Sequence, residues 1–138
     1  MIKRVLVLVI ICLAYFSCGK SGDAVPNVSV NFQADLGNPM LSPLRSPGGA
    51  VIISGQGYAG LIIYREPDLS YAAYDACSSY MPQKKCAVTL DGNSLTCTDP
   101  CSGSKFSLSD GTPVKSPATR SLKQYNINVS NFEIFVSN

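Results

Sequence analysis

Residues 99–106 read Asp-Pro-Cys-Ser-Gly-Ser-Lys-Phe, and this stretch decides how the chain folds. Its Pro, Gly and Ser content is typical of a loop. The segment Lys105–Leu108 that follows has the alternation of a short strand, and Ser-Asp-Gly at 109–111 is a good turn sequence. The stretch therefore predicts a loop that carries a Cys and leads directly into a strand.

Working outward from this loop, the rest of the chain also consists of short β-branched or alternating runs bounded by turn residues. A helical period is not evident beyond one turn around Met40–Leu44. The sequence predicts an all-β fold, a small antiparallel sandwich or barrel of short strands with long loops. The other predicted strands are Val28–Ala34, Ala50–Ser54, Gly60–Arg65, Ser70–Ala76, Ala87–Leu90, Ser94–Thr98, Leu122–Val129 and Phe132–Val136.

The N-terminus has the layout of a bacterial export signal. Lys3 and Arg4 precede an apolar run, Val5–Phe16, which is too short for the roughly 20 residues that a membrane-spanning helix requires. Cys18 follows in a context that resembles the loose lipobox of Bacteroidetes lipoproteins, so it is predicted to be lipidated. The alternative is an ordinary cleaved signal with an incidental Cys. The predicted organisation is a signal peptide at 1–17, a lipid-anchored tether at 18–27 and one domain at 28–138.

Export and lipidation place the mature chain in the cell envelope, at the outer membrane on its periplasmic or surface face. Removal of residues 1–17 leaves 138 − 17 = 121 residues, and loss of Lys3 and Arg4 leaves 9 basic against 9 acidic side chains. A neutral chain has no electrostatic basis for binding nucleic acid. The predicted partners are the membrane, through the lipid, and an envelope protein. Outside the cytoplasm, paired Cys are expected to be oxidised.

The C-terminal half resembles a Rieske iron–sulfur domain over roughly residues 50–136. The resemblance is carried by Tyr74–Cys77, by the loop at 99–106, by Ser116-Pro117-Ala118 and by Leu122–Tyr125. In that family a Cys-x-His loop and a Cys-Pro-x-His-Gly-Ser-x-Phe loop hold a two-iron two-sulfur cluster, and a Pro loop covers it. The resemblance implies a Rieske-like all-β domain.

The ligand positions of that family are mostly replaced in this chain. Cys77 matches the first thiolate, but Ser79 and Ser102 stand where the two His belong, and Asp99 stands at the second Cys. The chain contains no His at all, whereas a Rieske cluster needs two imidazoles. The sequence therefore predicts a degenerate domain without a metal or cofactor. The alternative is an iron–sulfur cluster or zinc.

The resemblance also implies a disulfide between Cys86 and Cys101, which match the Cys pair that many Rieske domains join between the cluster loops. Cys77 and Cys97 remain and are predicted to form a second bridge, although four Cys allow three connectivities. Alternatively, all four thiolates bind a metal. Their spacing, Cys-x8-Cys-x10-Cys-x3-Cys, lacks the paired knuckles of structural zinc sites.

No catalytic residue is evident, and the chain is predicted not to be an enzyme. Without His, a Ser or Cys nucleophile lacks its usual base. Glu66, Asp68 and Asp75 are read as surface charges beside turns. The predicted function is a structural or interaction module of the envelope. The alternative is an electron-transfer protein that uses Cys77, Cys86, Cys97 and Cys101.

Overall fold

The computed structural model describes residues 24–93 and 95–138, so the predicted signal peptide and Cys18 lie outside the described residues. The described part is built of short antiparallel strands, and the all-β prediction is confirmed. Its strands are β1 Asn31–Asp35, β2 Ala50–Ile53, β3 Leu61–Arg65, β4 Tyr71–Asp75, β5 Thr89–Leu90, β6 Thr96–Thr98, β7 Lys105–Ser107, β8 Pro113–Lys115, β9 Gln124–Ser130 and β10 Glu133–Ser137. In this part of the chain no helix has the length and apolar character needed to cross a membrane.

The larger sheet has the order β1-β10-β9-β4-β3-β2. β2 and β3 form a hairpin in which Ile52 lies opposite Ile62, as their β-branched runs predicted. β4 continues the sheet and joins it to β9 through Ala73 and Tyr125. A 3₁₀ helix, Pro39–Arg45, lies in the long loop before β2, where one helical turn was predicted.

The smaller sheet has the order β5-β6-β7-β8 and carries the loops of interest. Two elements in this region were not predicted, the edge strand β8 and a 3₁₀ turn, Pro82–Lys84. The turn is bounded by Met81 and Lys85, which both have a φ of 52°.

Two groups of buried side chains form the core. One lies where the larger sheet meets the smaller one and includes Tyr74, Cys97 and Phe106. The other lies on the opposite face of the larger sheet, under the 3₁₀ helix, and includes Leu41 and Ile134. Successive residues of β4 alternate between the groups, because side chains of a strand point to opposite faces in turn. The rigid sheet thus positions the loops that leave its ends.

Strand directions bring three loops to one end of the molecule, here called the loop end: residues 77–88, 99–104 and 116–121. The first described residues also lie there, since Lys123 Nζ donates to Asn27 Oδ1 at 2.8 Å. Asn138 Nδ2 donates to the same atom at 3.1 Å. At the opposite end, the β9–β10 turn places Asn131 and Phe132 at φ values of 52° and 64°.

Candidate functional site

The first two loops of the loop end are joined covalently and by hydrogen bonds. Cys86 and Cys101 form a disulfide with their Cα atoms 6.3 Å apart, which is the pairing that the family resemblance implies. Within the first loop, Cys77 pairs with Ala87 in a β-bridge, and the Ser78 amide donates to the Cys86 carbonyl at 2.8 Å. The backbone therefore holds Cys86 in place independently of its sulfur.

Asp99 organises the second loop from a fully buried position. Its Oδ1 accepts from the Cys101 amide at 2.8 Å, and its Oδ2 accepts from the Ser102 hydroxyl at 2.6 Å. Burial raises the pKa of Asp99, but hydrogen bonds from Ser102, Ser78 and backbone amides outweigh burial and leave this pKa below its ordinary value. The carboxylate is therefore ionised at neutral pH, and its bond from Ser78 links the second loop to the first.

The two serines at the family's imidazole positions are both engaged in hydrogen bonds. Ser79 Oγ donates to the Arg120 carbonyl at 2.5 Å, which ties the first loop to the third. Ser102 Oγ lies 2.8 Å from Ser104 Oγ, and Ser104 Oγ in turn accepts from the Ala118 amide at 2.9 Å. The serines connect the three loops to one another.

Cys77 and Cys97 are free and buried, so the predicted Cys77–Cys97 bridge is not formed. The Cys77 thiol points to the carbonyls of Ser78 and Pro82, at 3.5 and 3.7 Å. Cys97 lies on β6 and packs in the core group with Tyr74 and Phe106. Burial, followed by the charges of Asp75 and Asp99, raises the pKa of Cys77 to about 11. Burial raises that of Cys97 to about 12. Both are therefore protonated thiols at neutral pH.

Asp75 is buried, contrary to the prediction of a surface charge. Its carboxylate accepts from the amides of Tyr58, Ala59 and Cys77 and from the Tyr125 hydroxyl, the last at 2.6 Å. Burial and then the hydrogen bond to Asp75 raise the pKa of Tyr125. This network fixes the start of the first loop against β9. The sequence carried no signal for it, because three of the four donors are backbone amides and the fourth, the Tyr125 hydroxyl, is distant in the chain.

We expect acid to destabilise the protein in part through Asp99. The pKa of the Asp99 carboxyl is lower in the folded protein than in the unfolded chain. The ionised carboxylate therefore contributes its full stabilisation above the unfolded pKa of about 3.9, and this contribution is lost as the pH falls through the folded pKa. Asp99→Asn should therefore unfold more easily at pH 7 but lose less stability on acidification than the wild type. Urea unfolding at pH 7 and at about pH 3 measures both effects. Parallel pH profiles for the two proteins would contradict this role of Asp99.

The donors at the loop end do not fit the two-thiolate, two-imidazole set of a Rieske cluster. Ser79 and Ser102 offer hydroxyls that are already engaged in hydrogen bonds, and Asp99 offers a carboxylate where the family has a thiolate. Cys77 alone matches. A different set is close together: Cys86 Sγ, Cys101 Sγ and an Asp99 carboxylate oxygen all lie within 4.8 Å of one another.

Comparisons with known proteins identify relatives of this chain. A curated protein, ferredoxin CarAc of Metapseudomonas resinovorans, is 32% identical over 91 residues, which is 66% of this chain and 82% of the relative. The fold also matches a chain of the complex of reduced oxygenase and oxidized ferredoxin in carbazole 1,9a-dioxygenase, with a TM-score of 0.51 and 25% identity over 78% of this chain and 93% of that one. The plasma membrane Rieske protein PetC3 of Synechocystis shares the fold, with a TM-score of 0.54 and 20% identity over 80% and 98% of the two chains. No protein-family model matches the chain.

These relatives correct two expectations from the sequence. Rieske-type ferredoxins bind a two-iron two-sulfur cluster and act in electron transfer. The prediction of a structural or interaction module without a functional site is therefore wrong, and so is the prediction that the chain has no cofactor. The alternative, an iron–sulfur or metal-binding electron-transfer protein, fits the relatives better. Such relatives are electron carriers rather than enzymes. With this identity over more than two thirds of a ferredoxin, the chain belongs to the family of Rieske-type ferredoxins.

Proposed function

We propose that the chain is an electron-transfer protein that exchanges electrons with a partner protein at its loop end. The observation that carries the proposal is the 32% identity over 82% of ferredoxin CarAc, together with retention of the three loops around one buried centre. The family's imidazoles are missing, so the redox group of this chain is bound by other donors than those of the family.

Charge at the loop end suggests the nature of the partner surface. Lys84, Lys85 and Arg120 are exposed there, whereas Asp99, the one acidic side chain among the described residues of the three loops, is buried. Met81 adds an exposed apolar side chain beside a shallow cleft of about 270 Å³ between the first and third loops. A basic surface with an apolar centre suits a partner with an acidic docking face.

The envelope location remains part of this proposal. Ala24, the first described residue, lies at the loop end, beside Ser79 and Arg120. Five residues lie between it and Cys18, and the six residue steps from Cys18 to Ala24 extend at most about 20 Å. A lipid on Cys18 would therefore keep the loop end close to the membrane, where a membrane-associated partner meets it. Incorporation of labelled palmitate that is lost in Cys18→Ser tests the anchor.

The electron-transfer proposal is tested on protein exported in its native form and purified without oxygen. We expect a reversible redox couple in voltammetry and, after reduction of the protein, a bound metal in elemental analysis. Charge reversal in Lys84→Glu/Lys85→Glu should slow electron exchange with an acidic redox protein, whereas Arg45→Glu, at the opposite end, should not. Protein that is electrochemically silent as isolated and after anaerobic reconstitution with iron and sulfide would refute the proposal.

A further inference from the structure

The cluster ligands of the Rieske family are mostly replaced in this chain, but other side chains that can bind a metal lie close together. Cys86 Sγ, Cys101 Sγ and an Asp99 carboxylate oxygen lie within 4.8 Å of one another. Around a tetrahedral ion with metal–sulfur distances of about 2.3 Å, ligand atoms are separated by roughly 3.5–4 Å. The three donors are thus close enough to share one ion once the two bonded sulfurs separate to that distance.

We propose that Cys86, Cys101 and Asp99 form a binding site for one redox-active thiophilic metal ion, Fe²⁺, when their disulfide is reduced. The proposal rests on the proposed function, because it assigns the metal of an electron-transfer protein to a set of ligands other than the family's. Thiolates with a carboxylate suit such ions.

Asp99 is prepared for this role by its surroundings. Its carboxylate accepts hydrogen bonds from the Cys101 amide, from Ser102 and from Ser78. An ion bound to one of its oxygens would replace one of these bonds. These bonds fix the direction of the carboxylate, as outer partners of metal ligands commonly do.

The loop backbone does not depend on the disulfide for its shape. Three backbone hydrogen bonds of 2.8 Å fix the two loops. The Ser78 amide donates to the Cys86 carbonyl. In the second loop, the Asp99 amide donates to the Ser104 carbonyl and the Gly103 amide donates to the Asp99 carbonyl. Reduction therefore leaves the two sulfurs beside Asp99. Because Cys101 is exposed, a reductant and the ion can both reach the site. The same exposure leaves the fourth coordination position of the metal open to solvent.

The redox step balances with a dithiol as reductant. The dithiol gives two electrons to the Cys86–Cys101 bond, is oxidised to a disulfide, and its two protons end on the two new thiols. Binding of the divalent ion to both sulfurs as thiolates then releases two protons to solvent. Oxidation of the two Cys would release the ion, so the site is occupied only under reducing conditions.

Cobalt(II) reports the site directly, because thiolate-to-cobalt charge transfer gives near-ultraviolet absorption and tetrahedral coordination gives visible bands. The reduced protein, freed of reductant without oxygen, should bind one Co²⁺ with both signals, and the oxidised protein should bind none. Cys101→Ser should lose the signals. Asp99→Asn should bind at least about tenfold more weakly, since it removes a charged oxygen ligand. Cys97→Ala, which alters a buried thiol outside the site, is the matched control and should bind as the wild type does.

A second measurement on the wild type does not depend on the folding of variants. Zn²⁺ should protect Cys86 and Cys101 of the reduced protein from iodoacetamide, as mapped by mass spectrometry. Absence of Co²⁺ binding, binding that survives Cys101→Ser, or binding that requires Cys77 would each overturn the proposal. Neither measurement uses a partner or an electron-transfer assay. Failure of the metal-binding measurements therefore does not affect the voltammetry result. A protein that binds cobalt but is electrochemically silent refutes only the proposed function.

Discussion

Cys101→Ser should lower the free energy of unfolding by about 3 kcal/mol, which corresponds to a fall in melting temperature on the order of 10 °C. The bridge closes a loop of 15 residues, and in the chain-entropy model its main effect is to restrict the unfolded chain. Cys101 is exposed, so the serine itself costs little packing. Urea and thermal unfolding of the oxidised proteins measure the difference.

The reduced wild-type protein is the matched control for this substitution. It should unfold at nearly the same urea concentration as Cys101→Ser, and the reductant should leave the variant itself unchanged. Oxidised and reduced wild type that unfold at the same urea concentration would show that the bridge contributes nothing to stability. All samples contain a metal chelator, because an ion at the reduced Cys pair would itself stabilise the fold.

Asp75→Ala should be at least as damaging, with a loss of about 3–5 kcal/mol in the free energy of unfolding. The substitution removes the acceptor of three backbone amides and the Tyr125 hydroxyl in a fully buried position. A buried donor left without its partner costs about 1–3 kcal/mol, and water entering the cavity recovers part of the total. The same change should free the first loop, so Cys77 should react faster with a thiol reagent.

Tyr125→Phe isolates one bond of the network. It keeps the ring and removes only the hydroxyl that donates to Asp75, so we expect a smaller loss of about 1.5–3 kcal/mol. In a double-mutant cycle, Tyr125→Phe should cost much less when Asp75 is already Asn. Additive effects of the two substitutions, or unchanged reactivity of Cys77 in Asp75→Ala, would show that the carboxylate does not hold the loop.

Most of the strands could be predicted from the sequence because their local pattern agrees with their final environment. The runs at 50–54 and 60–65 are β-branched and lie in a sheet covered on both faces, and they form β2 and β3. Strand β8 has three residues, begins with Pro113 and exists through its pairing with β7, so local pattern does not reveal it. The turn at Pro82–Lys84 likewise depends on closure of the first loop.

The site was predicted less well, because its contacts join residues that are far apart in the sequence. The Cys86–Cys101 pairing followed from the resemblance to Rieske domains. The Cys77–Cys97 pairing rested on the assumption that the two remaining thiols lie close together, and both are free. Alternation along β6 instead turns Cys97 into the core. The absence of His excludes the two imidazole ligands of a Rieske cluster. It does not exclude a cofactor bound by other residues, so the prediction of no cofactor did not follow from it. The relation to ferredoxins is carried by similarity spread over 91 residues rather than by the ligand positions.

The proximity of Asn27 and Asn138 at the loop end has a practical consequence for handling the protein. An affinity tag or a fusion partner attached at either of these positions would crowd the surface on which a redox partner is expected to dock. In a protein that begins at Asn27, joining the two positions by a short flexible linker and reopening the backbone between Asn131 and Phe132 would move both attachment points to the far side. Such a circular permutant would leave the basic surface unobstructed for immobilisation on an electrode.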